Sequence, residues 1–190
     1  MTETTATRDV FLLRGINVGG HGRLPMAWLR EAALTRGATA AETYLASGNL
    51  IVTLAPAVDA GTFLTQLRAR IAQAHGFEPP ILHVTANRMR TAAQSVPYPV
   101  PVSDLKPDLK HVHIAFLGAA ADPQAVATLT SRDFGDDRVT VIDDCAYLWY
   151  PNGAHGSRLT LERIERDLNV TGTARNLATV RALVERVSPR

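Results

Sequence analysis

Apolar positions along the chain alternate between short continuous runs and helical spacings of three and four residues. Val10–Leu13 is an apolar run closed by Gly15 and reads as a buried strand. After the loop Gly15–Leu24, Pro25 opens a helix carrying Met26, Leu29 and Ala33 until Gly37 stops the pattern. Thr43–Leu45 and Leu50–Thr53 flank the turn-forming Ser47, Gly48 and Asn49, which predicts a hairpin. Asp59 is a cap for a helix with Phe63, Leu64, Leu67, Ile71 and Ala74 on one face, and Ile81–Val84 is strand-like. The first order is therefore βαββαβ, followed by a short helix that Thr85 caps, through Met89 and Ala93.

Pro97, Pro99, Pro101 and Pro107 then form an irregular connector, where the pattern places a boundary between residues 1–96 and 97–190. Beyond it, His111–Leu117 reads as a strand and Asp122-Pro123 opens a helix with Val126 and Leu129. Val139–Ile142 and Ala146–Tyr150 bracket Asp143-Asp144 as a second hairpin. A helix from Ser157 through Leu161, Ile164 and Leu168 gives βαββα, and Thr173 caps a last helix with Leu177, Val180, Leu183, Val184 and Val187. The repeated order predicts an α+β fold of two ferredoxin-like (βαββαβ-type) subdomains in tandem, with an extra C-terminal helix. In that topology the first and third strands pair antiparallel at the sheet centre. The carboxyl end of the first strand, Arg14–Asn17, should then meet Ser47–Asn49 at one sheet edge.

Composition agrees with a globular chain: 190 residues, 46% hydrophobic and 20% charged, suffice for a sizeable core. Net charge is only +2, and all but Lys106 and Lys110 of the 20 basic side chains are arginine. No Lys/Arg block concentrates the charge into a nucleic-acid footprint. A polar amino terminus, with no signal-like or membrane-length apolar stretch, makes the cytoplasm the expected location. The single Cys145 can form no internal disulfide, excludes a cysteine-rich zinc site, and reads as a small core residue.

The candidate chemistry lies in the loops. Gly15 to Gly22 sits between a strand and a helix, where a phosphate-cradling loop belongs, but His21 and Gly22 stand where a P-loop needs lysine and serine or threonine. That argues against a nucleotide triphosphatase. It leaves a glycine loop whose N–H groups, with Arg14, His21 and Arg23 nearby, suit an anion, or else a permissive turn with solvated charges. Ser47, Gly48 and Asn49 make an ordinary turn, or a second polar edge if they meet Arg14 and Asn17. Thr173, Ala174, Arg175 and Asn176 are expected to start the last helix, where orphan N–H groups favour an anion. Pro151 to Ser157 is a glycine-rich loop of similar kind.

His111 and His113, at i and i+2 on one strand, are half of a metal site with no identifiable third ligand. The aspartates at 133, 136, 137, 143 and 144 lack calcium-loop spacing and read as solvated loop and turn. No motif implies a cofactor or a metal. No carboxylate or histidine is placed as a general acid or base, so enzyme status stays open. Tyr147 and Trp149 share one face of a central strand, where ferredoxin-like sheets can stack bases.

Leu13 to Gly20, then Pro25-Met26 and Leu29, then Tyr44 to Asn49, together resemble the bacterial family catalogued as domain of unknown function 1697. Gly156-Ser157 and Thr173 to Asn176 with Thr179 and Val180 extend the resemblance over nearly the whole chain, the latter being similar to a closing T-x-R-N-x-x-T-v pattern. His21-Gly22-Arg23 departs from the lysine and asparagine that usually follow the family's glycines, and makes the cation at position 21 pH-dependent. The resemblance implies a duplicated ferredoxin-like fold and assigns no biochemical role. The expectation is a small anionic ligand, phosphate- or nucleotide-like, held by Arg14, Asn17, Gly19, Gly20, Ser47, Asn49, Thr173, Arg175 and Asn176. The alternative is a nucleic-acid or protein interaction module using the Tyr147/Trp149 face and scattered arginines.

Overall fold

The computed structural model describes residues 8–19, 22–100, 102–103 and 106–188, with backbone only at 102–103 and 106–107. Gly20, His21 and the side chain of Lys106 lie outside the described residues. The chain divides into two compact units, Met1–Met89 with Leu183–Arg190, and Arg90–Ala182.

In the first unit, β1 (Arg8–Leu13), α1 (Met26–Leu34), β2 (Ala38–Tyr44), β3 (Asn49–Leu54), α2 (Ala60–His75) and β4 (Ile81–Val84) follow the predicted order. The sheet runs β2-β3-β1-β4, all antiparallel, with β1 and β3 at the centre. Alternation sets the faces: Phe11 and Leu13 on β1 and Leu50 and Val52 on β3 cluster with Leu29, Phe63, Leu67 and Ile71 of the helices. Each such side chain, fully buried, contributes about 1.5–3 kcal/mol. Phe63 meets Phe11 edge-on at 4.9 Å. Asp59 caps α2, accepting from the Thr62 N–H at 2.9 Å, and Gly76 ends it in the left-handed region at φ 73°. Pro25 is the residue before α1, one position earlier than the sequence placed it, and β2 begins directly after Gly37.

α3 (Ala86–Gln94) follows β4, with Thr85 Oγ1 accepting from the Arg88 N–H at 3.2 Å. The division between units falls inside this helix, whereas the sequence put its boundary in the proline-rich connector. That connector forms a small ribbon of β5 (Val102–Ser103) and β6 (Lys106–Pro107), then a 3-10 turn at Leu109–His111.

The second unit continues with β7 (Val112–Leu117), α4 (Pro123–Thr130), β8 (Arg138–Ile142), β9 (Cys145–Trp149), α5 (Leu161–Leu168), β10 (Gly172–Asn176) and the first half of α6 (Leu177–Val187), whose residues from Leu183 onward belong to the first unit. Its sheet order, β10-β7-β9-β8, repeats that of the first unit element for element. Ala115, Leu117, Ala146 and Leu148 face Leu129 of α4 and Ile164 and Leu168 of α5. The fold is thus a tandem of ferredoxin-like α+β units, and α6 occupies in sequence order the place that α3 has in the first.

Three expectations change. Gly172–Asn176 is an edge strand paired with β7, so Thr173 is not a helix cap; it is buried and opposite Phe116. Ser157 lies before α5, which Thr160 caps, accepting from the Arg163 N–H at 3.2 Å. His111 belongs to the 3-10 turn and not to the strand, so it and His113 do not share a strand face. Cys145 is buried in β9 as expected. Among the described residues no helix is long and apolar enough to cross a membrane.

Candidate functional site

The loop after β1 and the turn between β2 and β3 meet as the topology requires. Leu12 pairs with Asn49, and the Leu13 N–H donates to the Gly48 carbonyl at 2.7 Å. Gly48 is required there. At φ 89° it lies in the left-handed region, and a Cβ would sit 2.8 Å from Leu13 Cβ.

Asn17 joins the two segments. Its Nδ2 donates to the Ala46 carbonyl at 2.9 Å and the Leu24 carbonyl at 3.0 Å, while its Oδ1 accepts from the Leu24 N–H at 2.9 Å. The carboxamide is therefore spent on the scaffold. Asn49 behaves alike: wholly buried, its Nδ2 donates to the Tyr44 carbonyl at 2.7 Å and to Ser47 Oγ at 3.3 Å. Two residues expected to orient a ligand instead shape the site.

What they shape is a loop in which φ is positive at Gly15, Asn17 and Gly19 (67°, 55° and 59°) and negative at Ile16 and Val18 between them. Alternation of this kind turns successive N–H groups toward a common concavity that suits an anion. Gly15 and Gly19 are exposed and their N–H groups make no hydrogen bond among the described residues, whereas the Asn17 N–H between them donates to the Gly22 carbonyl at 3.1 Å. Half-buried Arg14 stands at the root of the loop, where its N–H donates to the Pro80 carbonyl at 2.9 Å. The rim is apolar: Val18 is 63% exposed and Leu45, in the left-handed region at φ 58°, is 53% exposed.

A family model described as "Protein of unknown function (DUF1697)" matches residues 6–147. The chain belongs to that family. The conserved bacterial protein SP0830 from Streptococcus pneumoniae is similar in fold, with a TM-score of 0.69 at 22% identity, over 96% of this chain and 99% of that one. No curated protein matches the chain.

The remaining predicted residues of this DUF1697 chain lie in the second unit. Arg175 Nη1 donates to Thr173 Oγ1 at 2.9 Å and to the Ala174 carbonyl at 2.8 Å. Burial lowers the Arg175 pKa to about 10, still leaving it charged at neutral pH. Asn176 ends β10 and caps α6, its Oδ1 accepting from the Thr179 N–H at 2.8 Å. A helix N-terminus as an anion site at Thr173 and Arg175 is thereby corrected: both are strand residues, and the helix starts beyond them.

The Tyr147/Trp149 face is also corrected as a stacking platform. Tyr147 is 1% exposed and its hydroxyl donates to the Ala92 carbonyl at 3.2 Å. Burial, with the neighbouring Cys145, pushes its pKa up to about 12, so the hydroxyl stays a donor. Tyr98 stacks on Trp149 at 5.8 Å. Tyr147 therefore offers no open face of the kind a base needs, and one face of the half-buried Trp149 is taken by Tyr98. His83, on β4, places Nε2 2.8 Å from Asp9 Oδ2 and stacks on Phe11 at 4.8 Å. Among the described residues no group of three or more His, Cys, Asp or Glu could hold a metal ion.

Proposed function

We propose that this DUF1697 protein binds a small anionic ligand, phosphate- or nucleotide-like, at the Gly15–Gly19 loop of its first unit. The observation that carries this reading is the alternating sign of φ over residues 15–19, where Asn17 ties the loop to Gly22 and Leu24 while the N–H groups of Gly15 and Gly19 on either side take no hydrogen bond among the described residues. Gly15 and Gly19 supply N–H donors, and Arg14 and Ser47 supply a guanidinium and a hydroxyl from the adjoining strand end and turn. Asn17 and Asn49 act through the scaffold.

Thermal unfolding of the full chain against nucleotides, sugar phosphates and inorganic phosphate tests the reading. A ligand at about 100 times its dissociation constant stabilises the folded state by roughly 2.7 kcal/mol. The expected result is a shift with one such anion that is lost in a folded Arg14→Ala variant, accompanied by movement of the Gly15 and Gly19 amide resonances. Stabilisation that persists in Arg14→Ala and leaves those amides unmoved overturns it.

A further inference from the structure

In the second unit, two adjoining hollows of about 290 and 230 Å³ share a wall made by Arg132, Asp133 and Phe134, in the loop between α4 and β8. Arg158, from the loop before α5, and Arg163, in the first turn of α5, complete the smaller one. Three guanidinium groups from three chain segments thus surround one cavity.

Their arrangement is fixed from behind. Asp167, one helical turn after Arg163 and with a side chain only 9% exposed, lies 2.7 Å from Arg163 Nε and 3.0 Å from Arg132 Nε. Both arginines therefore engage it through Nε, and among the described residues no hydrogen bond uses the terminal nitrogens of Arg132, Arg158 or Arg163. Arg158 has no ion-pair or hydrogen-bond partner at all among the described residues. Burial would raise the Asp167 pKa, but the Arg163 hydrogen bond and the charges of Arg132, Arg163 and Arg166 outweigh it and hold the carboxyl ionised.

The loops themselves are tied in place. Asp137 Oδ2 accepts from Ser157 Oγ at 2.5 Å, Asp136 Oδ2 accepts from Asn152 Nδ2 at 3.0 Å, and Asp133 Oδ1 accepts from the Gly135 N–H at 2.8 Å. Asp133 is the carboxylate that lines the smaller hollow with Arg132, Arg158 and Arg163, and Asp167 stands behind them; in the adjoining hollow Asp137 is met by Arg138, and Arg166 lies 3.7 Å from Asp167, so positive charge stays in excess at the smaller one. An excess of planar, donor-rich forks with unused nitrogens is the surface that recognises an oxyanion. Forks arriving from three segments match the three terminal oxygens of a phosphate monoester better than the two coplanar oxygens of a carboxylate.

We propose that this arginine-lined cavity of the second unit is a binding site for the phosphate group of a small phosphomonoester. It is separate from the glycine loop and stands whether or not that loop binds an anion.

The test is titration of the full chain with inorganic phosphate, glycerol phosphate, succinate and a short single-stranded oligonucleotide, followed by calorimetry and by backbone amide resonances. The phosphomonoester is expected to move the amides of Gly135 and Arg158. Arg158→Gln, which breaks no bond among the described residues, should weaken its binding about tenfold, while Arg158→Lys retains part of it and Arg14→Ala changes nothing at this site. Arg132→Gln provides an independent second variant. Unmoved Gly135 and Arg158 amides, or equal affinity in Arg158→Gln, overturn the proposal. So does succinate binding as tightly as glycerol phosphate, or a response confined to the oligonucleotide with the steep salt dependence of a polymer.

Discussion

The Asn17 carboxamide donates to the Ala46 carbonyl at 2.9 Å, a bond spanning 29 residues of sequence that fixes the loop after β1 against the turn between β2 and β3. The same side chain takes both hydrogen-bonding groups of Leu24, so the whole loop is pinned at both ends by one residue. Its backbone adds a further constraint, since asparagine tolerates the left-handed region better than most residues do.

Asn17→Ala removes these bonds and places an alanine at φ 55°. The expected cost is about 2–4 kcal/mol, from unmade hydrogen bonds and backbone strain together. Asn17→Gly loses the bonds but accepts the backbone, so it should be less destabilised than Asn17→Ala by about 1 kcal/mol. Urea unfolding of the two variants checks the difference; equal midpoints would show that backbone strain has no share in the cost.

Much of this was legible in the sequence, and the failures have a common cause. Apolar runs and helical spacings report burial, so the strands through Phe11, Leu50 and Phe116 and the helices through Phe63 and Ile164 appear where the pattern puts them. β10 is an edge strand with one neighbour, and Gly-Thr-Ala-Arg-Asn carries no apolar alternation. Its threonine therefore imitates a helix start three residues ahead of the real cap, Asn176. The repeated order contained the missing signal, because β4 fills the same slot in the first unit. At the glycine loop, topology correctly brought Arg14–Asn17 to Ser47–Asn49, yet residue type could not tell a ligand-facing amide from one spent on carbonyls. The Arg132, Arg158 and Arg163 cluster gave no sequence signal beyond the i, i+4 spacing of Arg163 and Asp167, since its members come from separate segments.

Gly48 and Gly15 both have positive φ, but only one is crowded. A Cβ at Gly48 meets Leu13 Cβ at 2.8 Å and the Leu13 carbonyl at 2.9 Å, whereas at Gly15 nothing lies within 4 Å. Gly48→Ala should therefore force the hairpin away from β1 and cost more than about 2 kcal/mol, while Gly15→Ala costs only the conformational penalty of about 1–2 kcal/mol. Thermal unfolding of the two variants side by side separates steric crowding from strain.

Leu45 presents an exposed branched side chain from a left-handed backbone. Such strain is usually stored where a surface has work to do, here beside the proposed anion loop. Leu45→Asn keeps the turn, fits that backbone and loses little buried area, so stability should rise by up to about 1 kcal/mol. If the apolar rim takes part in binding, the same variant weakens the ligand-induced stabilisation even as the free protein melts later. Melting curves with and without ligand read both effects.

Asp9 links three elements: its Oδ2 meets His83 Nε2 on β4 at 2.8 Å, and its Oδ1 accepts from the Ala86 N–H at the start of α3 at 3.0 Å. Burial raises the Asp9 pKa, but the hydrogen bonds from His83 and Ala86 and the His83 charge more than offset this, leaving it below the ordinary carboxylate value of 3.8. A depressed folded pKa means that the unfolded chain takes up the proton first as pH falls. The stability from Asp9 is therefore fully present above pH of about 4 and is lost as pH drops through the lower folded value. Asp9→Ala should lose about 2 kcal/mol at neutral pH and lack that part of the acid-limb slope, because no carboxyl remains to titrate. Chemical unfolding of both proteins between roughly pH 2.5 and 7 measures the two slopes. Parallel acid limbs would mean that Asp9 carries the same proton affinity folded and unfolded, its bonds to His83 and Ala86 doing no more than offset the burial of its charge.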